Sequence, residues 1–199
     1  LDYLGGIEGS EGLVSLVRER YGLDLSREDG LNRSGIDAAG AGGKRIIAML
    51  AYGVPWASAQ APDGETLYPP DDPEDFARFA AAAVERYGDR VAAWEVWNEP
   101  NVFRFWRPSN RGDPAAYAAL LAATGAAIKA VDPDAVVLFA GLFFHDQVLS
   151  MRATEFIDAA HDAVPGLENA YDGISVPPYD LSPPSMPPES GGPTACQMW

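Results

Sequence analysis

One pattern recurs along this chain from about Lys44 onward: a short apolar run, a long polar loop, an amphipathic stretch with helix caps, and a tight return to the next apolar run. Few folds accommodate it. The runs at 45–52, 91–97, 135–140 and 173–176 are short and bounded by turn residues, as buried strands are. The first helix opens with Asp72 as N-cap, Pro73 at the first helical position and Glu74 and Asp75 in the first turn; Phe76, Phe79, Ala83 and Tyr87 form its apolar stripe, and Gly88 stops it. The second opens in the same way with Asp113 and Pro114, turns Tyr117, Leu120, Leu121, Thr124 and Ile128 inward, and ends before Asp132-Pro133. A third is expected over 151–163, capped by Ser150, with Phe156, Ile157 and Ala160 facing the core.

Strand and helix in alternation predict right-handed crossovers and a parallel sheet. Open doubly wound sheets and closed barrels share that grammar, and loop length separates them. Connections leaving the strands are long (53–71 and 98–112), whereas those leaving the helices are only a few residues. Long loops on the carboxyl side of the strands are the habit of a (β/α)8 barrel with its active site there. No Gly-rich phosphate turn follows any strand, which weighs against a nucleotide-binding sheet. The expected fold class is α/β, a partial TIM (β/α)8 barrel with roughly four to six readable strands, because a complete barrel takes about 250 residues. The chain has 199, and the last strands are expected to be missing. Residues 1–43 parse poorly: 13–20 reads as helix, 22–26 as strand and 36–39 as a short helix, and they supply one or two more strands at most. The Pro-, Ser- and Gly-rich stretch 181–199 reads as a tail, leaving 1–180 as the domain.

Composition narrows the partners. With 47% hydrophobic residues the chain can bury a core, and 14 Lys and Arg against 29 Asp and Glu give a formal charge of −15, which repels phosphate backbones and anionic lipid. Neither nucleic acid nor membrane is therefore an expected partner, and no uninterrupted apolar run reaches the roughly twenty residues of a membrane helix. Cys196 is the only cysteine, and His145 and His161 share no helical face, so neither a metal nor another cofactor is implied. The N-terminus lacks a signal-peptide layout, and secretion and a cytoplasmic location both stay open.

The most informative stretch is 91–101, Val-Ala-Ala-Trp-Glu-Val-Trp-Asn-Glu-Pro-Asn, an apolar strand ending abruptly at Asn98-Glu99-Pro100. A carboxylate at the C-terminal end of a barrel strand sits in the catalytic mouth, where burial beside Trp97 would raise its pKa and suit it to general acid work. The blander reading is a solvated glutamate before a turn-forming proline.

Trp-Asn-Glu-Pro-Asn at a strand end resembles the acid/base motif of the retaining (β/α)8 glycoside hydrolases, nearest to the β-xylosidase and α-L-iduronidase family. The resemblance extends over roughly 46–179: Ala51-Tyr52-Gly53-Val54-Pro55-Trp56 is similar to the third strand end of that family, and Asp172-Gly173-Ile174-Ser175-Val176 to its sixth. It implies Glu99 as general acid/base, Asn98 as hydrogen-bond partner of the sugar 2-hydroxyl, and an oligosaccharide or glycoside as substrate. Where the family's sixth strand ends His-Pro-Tyr, this chain has Pro177-Pro178-Tyr179, so a site histidine is missing while Tyr179 still aligns at the mouth. The family's second strand is represented only by the ambiguous 21–26, and no site residue is assigned there.

Retention requires a second carboxylate about 5 to 5.5 Å from the acid. Glu95 shares the strand face of Glu99 but lies about 13 Å away along an extended strand. It is expected to be a satisfied polar group inside the barrel. The resembling family places its nucleophile at the end of strand seven, beyond this chain, and Glu189 stands in a Pro-rich loop that does not suit the role. Trp56 and Trp97, next to strand ends, are the expected aromatic platforms for a sugar, whereas Phe103 and Phe105 are expected to pack their loop onto the rim. Two readings follow. One is a retaining O-glycosyl hydrolase acting through Glu99; the other is a truncated, non-catalytic barrel that binds carbohydrate or a partner chain. An open strand at 173–176 would also favour self-association through the sheet edge.

Overall fold

The computed structural model describes residue 36, residues 39–143 and residues 150–176. The strands β1 (Ile46–Leu50), β2 (Val91–Val96), β3 (Val137–Phe139) and β4 (Gly173–Ile174) form one parallel sheet in the order β1-β2-β3-β4. A doubly wound sheet reverses its strand order at a switch point. This one advances without reversal, and its helices α1 (Pro73–Tyr87), α2 (Pro114–Val131) and α3 (Ala153–Ala163) pack in sequence, α1 on α2 and α2 on α3. The result is an arc of a (β/α)8 barrel, as the loop lengths predict.

Local chemistry fixes these elements. The Asp72 carboxylate accepts from the Glu74 backbone N–H at 3.0 Å and Asp113 from that of Ala116 at 3.0 Å, each followed by proline at the first helical position. Gly88 closes α1 with its N–H donating to the Val84 carbonyl, and Asp132 ends α2 where proline follows. The third helix departs from the expected start. It begins at Ala153 without a side-chain cap, because Ser150 is buried in an antiparallel bridge to Val102. Each strand is shorter than its apolar run, and β4 keeps only two residues of 173–176.

The core lies between sheet and helices. Leu50, Trp94, Val96, Val137 and Phe139 point to the helix layer and meet Phe76, Ala80, Tyr117, Leu121 and Phe156. The other face is the concave side of the barrel, where register aligns Met49, Glu95 and Leu138. Among the described residues α2 alone is long and apolar enough to cross a membrane. Its apolarity serves packing between two neighbouring helices and the strands, with Tyr117, Leu120, Leu121 and Ile128 essentially inaccessible. Gly125 lets this helix approach the loop before β4 so closely that a Cβ there would lie 2.1 Å from the Ala170 carbonyl oxygen.

Strand β4 is tied in by Asp172, which accepts from the Val137 N–H at 2.8 Å and lies 3.0 Å from Lys129 Nζ. The backbone bond, followed by the lysine, holds the Asp172 carboxyl below the ordinary carboxylate range against a partial opposing effect of burial. A depressed folded-state value contributes stability that is complete above the unfolded value, near pH 4, and is lost as pH falls through the folded one. Asp172→Ala should therefore lower the melting temperature at neutral pH by an amount corresponding to about 1 kcal/mol, given the partly exposed pair. Thermal melts at pH 7 and pH 3 check this: the gap to the parent protein should narrow at the lower pH, and an equal gap at both would refute the charged clip.

Candidate active site

At the C-terminal end of β2 the backbone turns sharply. Trp97 and Glu99 have φ of 73° and 43°, the left-handed region that non-glycine residues seldom occupy. Such conformations persist where surroundings over-determine them and cluster at functional sites. Here the surroundings are explicit. The Trp97 N–H donates to Leu50 O at 2.9 Å, the Glu99 N–H to Gly141 O at 3.0 Å, and the Val102 N–H returns to Glu99 O at 3.1 Å, so the turn is strung between the ends of β1 and β3.

Glu99 is 4% exposed and Asn98 is half-buried beside it. The Asn98 amide Nδ2 donates to the Tyr52 hydroxyl at 2.7 Å, which brings the end of β1 to the motif. Burial pushes the Tyr52 phenol above its ordinary value, and the nearby Glu99 carboxylate pushes in the same direction against the Asn98 bond. Asn101 is wholly buried and acts as a clamp. Its Nδ2 donates to Phe143 O at 2.6 Å and Met151 O at 2.8 Å, while its Oδ1 accepts from the Phe143 N–H at 2.9 Å. One asparagine thus binds both ends of the loop after β3 to the motif.

Glu95 behaves as expected of a satisfied interior carboxylate: it is buried and its Oε1 accepts from the Gly141 N–H at 2.8 Å. Trp97 departs from expectation. It has no exposed surface, its indole N–H donates to Phe105 O at 2.8 Å, and it packs edge to face on Tyr52 and Trp106 and at a tilt on Phe76. It supports the motif from beneath and leaves no face open to a ligand, a correction to the reading of Trp97 as a sugar platform. Trp56, by contrast, is 39% exposed at the rim of an apolar hollow of about 40 Å³ formed with Tyr52, Val54, Pro70, Phe76 and Phe79. Phe105 stacks parallel to Tyr52, and the Arg107 guanidinium sits 5.0 Å over the Phe103 ring, so both phenylalanines pack their loop onto the rim. Tyr179, Glu189 and His145, each named from the sequence, lie outside the described residues. Among the described residues no cluster of His, Cys, Asp and Glu could hold a metal ion.

Comparison with known proteins gives this geometry a context. No family model matches the chain. A 53-residue segment, a quarter of the chain, is 45% identical to a β-xylosidase of Geobacillus stearothermophilus, of which it spans 10%. The fold superposes on a family 39 glycoside hydrolase from Bacteroides cellulosilyticus over 74% of this chain and 28% of that one, with TM-score 0.54 and 24% identity. A monomeric β-xylosidase from Caulobacter crescentus superposes over 76% of this chain and 31% of its own length, with TM-score 0.52 and 25% identity. The chain resembles part of a β-xylosidase-type glycoside hydrolase.

Because it spans less than a third of each of these proteins, the resemblance is to a portion of such a barrel. Within that portion the strand-end motif on β2 and the aromatic end of β1 come together, and residue spacing alone links neither Tyr52 to Asn98 nor Asn101 to the loop after β3. The only signal for either was its place at a strand end.

Proposed function

We propose that this chain contributes the acid/base half of a glycosidase that hydrolyses β-linked O-glycosides, β-xylosides foremost, with retention of configuration. The observation that carries the reading is Glu99 itself, a carboxylate enclosed at the C-terminal end of a barrel strand on a turn held by both neighbouring strands. In this scheme Glu99 protonates the departing glycosidic oxygen, then takes a proton from water in the second step. Asn98 hydrogen-bonds the sugar 2-hydroxyl, and Trp56 offers an aromatic face to the sugar or its aglycone. The nucleophile is a second carboxylate other than Glu95, which stands about 13 Å from Glu99 along an extended strand and accepts from the Gly141 amide.

The test uses the full-length gene product and an aryl β-xyloside. Proton NMR at early times should show the β-anomer of the released sugar ahead of mutarotation. Initial release of the α-anomer would overturn retention. Saturable binding of xylo-oligosaccharide without hydrolysis of any aryl glycoside would favour the non-catalytic carbohydrate-binding reading.

A further inference from the structure

We infer that Tyr52 is a positioning residue of this site, its hydroxyl holding the Asn98 carboxamide in the pose that meets the sugar 2-hydroxyl. The inference rests on the glycosidase reading and adds a residue to it. Asn98 stands between two residues with left-handed backbone, beyond the last ladder pair of β2, and its side chain is half-exposed. Ordering such a side chain only when substrate arrives costs conformational entropy at the moment of binding. The Tyr52 hydroxyl removes that cost by accepting one Nδ2 proton at 2.7 Å. The second Nδ2 proton and Oδ1 are left to face a ligand hydroxyl.

Tyr52 is itself immobilised. Its ring meets the Trp97 ring edge to face with centroids 5.5 Å apart and lies parallel to Phe105 at 5.9 Å, with 2° between the planes. Since Trp97 is fully enclosed, the tyrosine is braced against the rigid floor of the motif. A phenol is neutral at working pH, and burial moves Tyr52 further from ionisation, so its hydroxyl oxygen stays an uncharged acceptor for Asn98. Hydrogen bonds to the 2-hydroxyl strengthen in the oxocarbenium-like transition state. A misplaced Asn98 should therefore be felt in kcat more than in KM.

The experiment compares Tyr52→Phe with the parent full-length gene product on an aryl β-xyloside and on its 2-deoxy analogue, with Glu99→Gln as reference. Phenylalanine keeps the ring contacts and removes one hydroxyl. The expected result is a fall in kcat of roughly 3- to 10-fold on the xyloside, a penalty that largely disappears when the substrate has no 2-hydroxyl. In an Asn98→Ala background the Tyr52→Phe change should add little to the loss already present. Equal penalties on both glycosides, or a full additional penalty without Asn98, would show a merely structural tyrosine and overturn the inference. No penalty for Tyr52→Phe alongside an inactive Glu99→Gln would overturn it while leaving the glycosidase reading intact. A fully active Glu99→Gln would remove that reading and the inference with it.

Discussion

Glu99→Ala in the full-length gene product should lower kcat on an alkyl or unactivated aryl glycoside by roughly 10² to 10⁴ fold, the range that a positioned general acid contributes. The size of the loss should depend on the leaving group in a way that no folding defect could imitate. A glycoside whose leaving group departs readily as an anion has little need of the acid, so its first step should survive the substitution. Its second step still needs a base to activate water, and the glycosyl-enzyme should then accumulate and depress KM. Azide, an anionic nucleophile small enough for the space vacated by the carboxylate, requires no base. It should restore turnover and yield a glycosyl azide of retained configuration. The alkaline limb of the pH–rate profile, set in the parent by loss of the acid's proton, should vanish in the variant. Undiminished hydrolysis, or a loss that azide leaves untouched, would remove Glu99 from the acid/base role.

How much of this was legible in the residues can be judged element by element. The helix starts were, because Asp-Pro followed by acidic residues satisfies free N–H groups within one turn, a local matter that the structure shows at Asp72 and Asp113. The direction and order of the strands were legible too, since alternation and loop asymmetry leave few topologies. Ser150 misled for an instructive reason. A serine before an amphipathic stretch is a sound cap signal, but the loop after β3 is fastened by Asn101, and that clamp commits Ser150 to a bridge with Val102. The Asn98–Tyr52 bond was invisible because its partners stand 46 residues apart and meet only when β1 and β2 pair. Trp97 was read as a platform from its place at a strand end, and that place does not set where a side chain goes at a residue with φ of 73°. The left-handed turn sends its indole into the helix layer and leaves Asn98 and Glu99 at the mouth.

That burial leads to the largest expected effect on stability. Trp97→Ala should destabilise the protein by about 3 to 5 kcal/mol, as removal of a large enclosed aromatic does when its surroundings cannot collapse. Collapse is hindered here because three rings (Tyr52, Phe76 and Trp106) converge on the indole from different sides, and because the Phe105 carbonyl would lose its donor. For a domain of this size the melting temperature should fall by roughly 6 to 20 °C, measured by circular dichroism. Trp97→Phe retains a ring and should lose distinctly less. Activity discriminates between the two possible roles of this tryptophan. As support for the turn, its loss should lower kcat by unseating Asn98 and Glu99 together with the fall in stability. As a sugar platform, its loss would raise KM while leaving the melting temperature nearly unchanged. That second outcome would require Trp97 to present a face to solvent, contrary to an indole that has none and whose only N–H is already bound.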